Sequence, residues 1–272
     1  MASFMVSNSR PIVHFVHGNS FPAGTYSRFL DLLRNDYDVR ALEMHAHNPV
    51  YPVTDGWPAL MQELIDELSK RYQEPVILLG HSMGGALSLM AARQRPDLVR
   101  CVVLLDTPVV AGWRAGLLGV AKALKLDMRF SPARFSAKRR NQWPDAEAAY
   151  QHFSSKAVFA LWPREVIRDY VEHGMLQQDG NLTLRFRRDI ETAVYRTLPH
   201  HFGRVVKGNF PVPVGFIGGV DSVECRHAGL AATKRLVGEY FRHLPGGHLF
   251  PLESPEVAAS ATNDMIRNLL IR

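Results

Sequence analysis

Only two of the 272 residues are cysteine, Cys101 and Cys225, and no C-x-x-C occurs. That excludes a disulfide framework and a cysteine-based zinc site, so both are expected to be reduced structural thiols. No apolar run approaches the roughly 18 residues a membrane helix needs. The start, MASFMVSNSRP, lacks a basic leader and has only Phe4-Met5-Val6 as an apolar stretch, too short for a signal peptide. A cytoplasmic protein with no membrane insertion is the expectation. Neither G-x-G-x-x-G nor G-x-x-x-x-G-K-[ST] is present, so no nucleotide cofactor is expected. The pair His45 and His47 stands alone, without H-E-x-x-H or H-x-H-x-D-H, so no metal is expected either. No repeat at a solenoid period is visible.

What is present is an ordinary globular composition, 46% hydrophobic and 21% charged, in a chain long enough for one large α/β domain with an insertion. The net charge of +6 is unevenly placed. Residues 107–208 carry 17 Lys and Arg against 9 Asp and Glu, and the remainder 15 against 17. A solvated basic face is the plain reading; the sharper one is attraction of an anionic substrate or surface. No nucleic-acid motif accompanies the charge.

Hydrophobic patterning gives the architecture. Apolar strands are expected at Ile12–Val16, Val39–Met44, Val76–Leu79, Cys101–Leu105, Pro213–Gly218 and Tyr240–Leu244. Helices are expected at Gly24–Asn35, after a Thr54 or Asp55 cap, after Ser82, over Arg226–Gly238, and from Ser254-Pro255-Glu256 to Ile271. Strands alternating with helices imply a mostly parallel, doubly wound α/β sheet. Between Val109 and Gly208 the alternation stops. Helical fragments there are interspersed with Trp113, Phe130, Phe135, Trp143, Phe153, Phe159 and Trp162.

The chemistry-bearing pattern is Gly80-His81-Ser82-Met83-Gly84, between the Val76–Leu79 strand and an Ala-rich helix. A G-x-S-x-G turn from strand to helix strains its central residue and lifts the serine hydroxyl to the carboxyl end of a sheet. Ser82 is therefore the candidate nucleophile. A serine at its ordinary pKa needs a base and a group to orient that base. His248, after Gly246-Gly247 and before the last helix, is the candidate base. The favoured acid is Asp221, beyond the Phe216-Ile217-Gly218-Gly219 strand; Asp106 is the competitor and Glu224 a third choice. An oxyanion needs two N–H donors, and those of Met83 and Asn19 are expected to serve, with Ser20 as alternative.

The order HGNS, GHSMGG, a late Asp and GGH before a terminal helix resembles the α/β-hydrolase fold superfamily, over roughly residues 10–106 and 209–272. The resemblance implies a core of residues 1–108 and 209–272 and a helical cap at 109–208, inserted after the strand ending at Asp106. It implies a Ser-Asp-His hydrolase working through an acyl-enzyme, with Ser82, Asp221 and His248 as triad. In one place the chain departs from the pattern: His45-Ala46-His47-Asn48-Pro49 stands where a Gly-rich turn is usual. Serine rather than aspartate at position 82 sets aside haloalkane dehalogenases and epoxide hydrolases. Esterases, lipases, thioesterases, lactonases, C–C hydrolases, hydroxynitrile lyases and a non-catalytic binding protein remain. His17, His81, Trp113, Trp143 and Trp162 are expected to bind a small substrate that is partly apolar, aromatic or carboxylate-bearing.

Overall fold

In a computed structural model, which describes residues 10–124 and 133–271, six strands form one wholly parallel sheet in the order β2-β1-β3-β4-β8-β9. Phe4-Met5-Val6 and Phe130 lie outside the described residues. The central strands, β1 (Ile12–Val16), β3 (Val76–His81), β4 (Val99–Leu105) and β8 (Val214–Gly219), are almost continuously buried. That is the behaviour of strands covered on both faces, and it explains their unbroken apolar runs. The edge strands β2 (Asp38–Ala41) and β9 (Phe241–Leu244) are short and half-exposed.

Helices α1 (Ser27–Leu33) and Pro255–Leu270 cover one face; α2 (Pro58–Arg71) and α3 (Met83–Gln94) cover the other. On α2, Leu60, Leu64, Ile65 and Leu68 turn inward as their spacing requires. The expected cap by Thr54 or Asp55 does not form. Trp57, at φ 62°, precedes the helix instead and donates its backbone N–H to Thr54 O, while Pro58 takes the first helical position. The single helix expected over Arg226–Gly238 is two, Val223–Ala228 and Ala231–Val237, broken where Gly229 adopts φ 72°.

Residues 109–208 leave the sheet after β4 and rejoin it before β8. They are not purely helical, contrary to expectation. Beside α4 (Trp113–Ala123) and the helices Ala146–Ser154, Arg164–Gly174 and Arg188–Arg196, they hold an antiparallel sheet of β5 (Gln142–Trp143), β6 (Met175–Gln178) and β7 (Asn181–Leu184). Asp179 and Gly180, at φ 49° and 76°, make the two-residue turn between β6 and β7. Asp-Gly is a two-residue hairpin signal that the expectation of a helical cap passed over. Trp143, Phe153, Phe159, Trp162 and Tyr170 of this insertion join the same buried cluster as Phe15 and Tyr26 of the sheet layer. Among the described residues no helix is long and apolar enough to cross a membrane.

Candidate active site

The strand-to-helix turn at Ser82 is built by close backbone approach. A Cβ on Gly80 would lie 2.5 Å from Gly85 Cα, and one on Gly84 1.9 Å from Val16 O, so neither position tolerates a side chain. Ser82 itself sits at φ 52°, a strained conformation for a residue with a Cβ. Its N–H is held by Leu105 O at 3.0 Å, which ties the turn to the end of β4. Met83 opens α3, and the N–H groups of a first helical turn have no acceptor within the helix.

His248 Nε2 lies 2.9 Å from Ser82 Oγ, and its Nδ1 lies 2.7 Å from Asp106 Oδ1. The carboxylate that reaches His248 is therefore Asp106, not the favoured Asp221. Two features of the sheet decide this. Asp106 directly follows β4, the neighbour of the strand that leads to Ser82, whereas Asp221 follows β8, one strand farther away. Asp221 is also exposed; its N–H bonds to Gly246 O and its carbonyl accepts from Arg226, so its backbone braces the histidine loop from outside. Glu224, the third choice, has a carboxylate oxygen 3.8 Å from His248 Nδ1.

Asp106 is fully buried at φ 43° and almost saturated with donors. Gly219 N–H and Ser222 Oγ each donate to it at 2.7 Å, and Cys225 Sγ lies at 3.5 Å. Burial pushes its pKa up, but the bonds from His248, Ser222 and Gly219 outweigh that and hold the carboxyl below its ordinary value. Burial likewise disfavours the charged form of His248, yet the Asp106 hydrogen bond and charge prevail and raise its pKa above 6.5. Gly219 allows the assembly, because a Cβ there would meet Gly247 O at 2.3 Å and push the histidine loop away.

The other expected residues divide. His81 lines the cavity, but its Nδ1 lies 2.7 Å from the Tyr26 hydroxyl and its Nε2 2.9 Å from His248 O. Burial and nearby His248 lower its pKa to about 3, so it serves as a neutral strut that fixes the base. His17 is not among the residues lining the cavity. It is wholly buried, its Nδ1 donating to Gly18 O at 2.8 Å and its Nε2 accepting from His45 N at 2.7 Å. His45 is held in turn by the buried carboxylate of Glu63 at 3.0 Å, so the His-rich loop braces the Gly18–Ser20 turn. His47 bonds to His45 O and Arg187 N through its two ring nitrogens, which leaves neither free for a metal. Asn19 and Ser20 stand on the cavity wall.

None of the three tryptophans lines the cavity. Trp113 is 66% exposed on α4, whereas Trp143 and Trp162 are buried in the insertion's core. Phe21, Phe135, Phe153, Phe159, Tyr170 and Tyr195 form the aromatic wall instead. The cavity, about 1140 Å³, opens over Ser82 and His248 between the sheet's carboxyl edge and the insertion. Sequence reading missed Glu191, whose carboxylate accepts from Ser20 Oγ at 2.6 Å and pairs with Arg139 at 2.8 Å, while its carbonyl accepts from Asn19 Nδ2. No local signal marks a helix glutamate that docks 171 residues away in sequence. Among the described residues the sole metal-like grouping is Asp106, Glu224 and His248. Asp106 Oδ1 already accepts from His248 and Ser222, so the group is arranged for proton handling.

A family model described as "Alpha/beta hydrolase family" matches residues 15–261. The chain is 34% identical over 97 residues to the uncharacterized hydrolase YugF of Bacillus subtilis, covering 33% of this chain and 34% of that protein. It is 22% identical over 200 residues to the sn-1-specific diacylglycerol lipase ABHD11 of Mus musculus, covering 72% and 59% respectively. The matched part spans about a third of the length of the first of these curated relatives. Among solved structures, E-2-(acetamidomethylene)succinate hydrolase superposes with a TM-score of 0.76 at 23% identity, covering 95% of this chain and 92% of that one.

Proposed function

The chain belongs to the alpha/beta hydrolase family, and from that membership we propose that it is a serine hydrolase cleaving an ester or related acyl bond of a small, partly apolar substrate. The observation that carries this reading is the unbroken hydrogen-bonded line from Ser82 Oγ through both ring nitrogens of His248 to buried Asp106. In this reading His248 Nε2 takes the Ser82 proton as Oγ attacks the acyl carbon. Asp106 keeps the other ring proton on Nδ1 and stabilises the imidazolium that forms. The N–H groups of Met83 and Asn19 receive the developing oxyanion. The proton on His248 passes to the leaving group; a water activated by the same histidine then releases the acyl group from Ser82.

Residues 109–208 act as a cap whose aromatic wall takes up the apolar part of the substrate. A cavity of about 1140 Å³ suits a ligand of moderate size. The test is labelling of the purified protein by a fluorophosphonate, with Ser82→Ala alongside, followed by hydrolysis of p-nitrophenyl esters of increasing acyl length. Labelling and turnover that both vanish in the variant are expected. Turnover retained by folded Ser82→Ala would defeat the assignment.

A further inference from the structure

The charges around the cavity are sorted by sign. The insertion contributes Arg134, Lys138, Arg139, Arg140 and Lys156, together with one acid, Glu191. The sheet side contributes only acids, Asp221, Glu224 and Glu253. Glu191 and Arg139 neutralise each other at 2.8 Å. Glu253 accepts from Gly247 N at 2.8 Å and Glu224 lies 3.8 Å from His248, so the acids gather at the histidine edge. Arg140 spends its Nε on Gln142 O and lies over the Trp143 ring. The side chains of Arg134, Lys138 and Lys156 make no ion pair or hydrogen bond to a described residue.

These three cations are solvent-exposed on one wall, so water and salt screen their mutual repulsion, yet their summed field still favours an entering anion. A counter-anion in the cavity relieves that repulsion. The aromatic side chains Phe135, Phe153 and Phe159 interleave with these cations, so the wall fits an anion carried on an apolar stem. The acids beside His248 repel the same anion, which leaves one favourable orientation, with the charge under the insertion and the uncharged acyl bond at Ser82.

On the reading of Ser82 as an acyl-transfer nucleophile, we propose that the substrate carries an anionic group, a carboxylate or a phosphate, remote from the scissile bond and bound by Arg134, Lys138 and Lys156. Two arms separate the sources. The first compares 4-nitrophenyl hydrogen glutarate with its neutral methyl ester, and the second butyryl-coenzyme A with S-butyryl-N-acetylcysteamine. In at least one arm the anionic member is expected to have a kcat/KM about tenfold or more higher, mostly through KM. That ratio should fall towards one in Lys138→Ala/Lys156→Ala, and in the wild type as salt is raised. A preference in the glutarate arm identifies a carboxylate, and one in the coenzyme A arm a phosphate. Equal rates in both arms, or a preference that survives both salt and the double variant, overturn the proposal while leaving Ser82 labelling intact. Loss of labelling and of all turnover would instead sink the hydrolase reading on which it rests.

Discussion

Replacing Asp106 by asparagine separates the two carboxylates that sequence alone leaves in competition. In the wild type Oδ2 accepts from Gly219 N–H, and Oδ1 accepts from Ser222 and from His248 Nδ1. An amide has one oxygen, and the fixed backbone donor of Gly219 claims it. The NH2 group then faces His248 Nδ1, which must become an acceptor, so the ring proton moves to Nε2 and points at Ser82. A base in that tautomer cannot take the serine proton, and the buried charge that stabilised the imidazolium is gone. Exchanging the acid of such a triad for its amide lowers turnover about 10⁴-fold, which corresponds to about 5 kcal/mol of barrier. Asp221 is exposed and makes no hydrogen bond to His248, so Asp221→Asn should change kcat/KM by less than about threefold. The assay is kcat/KM on a p-nitrophenyl ester together with the fluorophosphonate labelling rate, on variants whose thermal unfolding shows them folded. A folded Asp106→Asn within about tenfold of wild type, beside an inactive Asp221→Asn, would refute the assignment.

Activity should rise with pH through the raised pKa of His248, above 6.5, because only the neutral ring accepts the serine proton; a kcat/KM–pH profile measures this. Stability should respond in the opposite sense at this residue, since a raised folded pKa contributes stability below about 6.5 that is lost as pH rises through the folded value. Three other histidines act at acid pH. His14, His17 and His81 are buried with pKa values lowered to about 3, chiefly by desolvation, so the unfolded chain binds their protons first as pH falls below 6.5. Each withdraws about 2 kcal/mol by pH 5, and acid unfolding followed by circular dichroism should begin well above the range of carboxylate titration. Gly84→Ala would place a Cβ 1.9 Å from Val16 O and should yield little folded protein in an expression and melting test. Glu191→Ala strands partly buried Arg139 and frees Ser20 and should lower stability by about 3 kcal/mol in urea titration. It should also slow turnover through the loosened Asn19 turn.

Periodicity and turn chemistry were sufficient for the sheet strands, because strands buried on both faces must be continuous apolar runs bounded by turns. They also located the strained turn at Ser82, since a strand-to-helix turn with glycine on either side is a local requirement of sterics. His248 followed from its place after the last strand and before the closing helix. The acid did not follow, because its identity depends on which strand lies beside which. The sequence places Asp106 and Asp221 equally well at strand ends; only the order β3-β4-β8 sets Asp106 next to Ser82 and Asp221 a strand away. The cavity-lining aromatic side chains escaped for a related reason. An aromatic residue packs equally well into a core or along a cavity, and nothing local distinguishes buried Trp143 from Phe153 on the cavity wall. Local composition thus determined the strands and marked Ser82 and His248, which the structure sets within hydrogen-bonding distance. The carboxylate partner of His248, the brace on the Asn19 turn and the charge sorting of the cavity came from contacts between residues more than a hundred positions apart, which only the packed chain brings together.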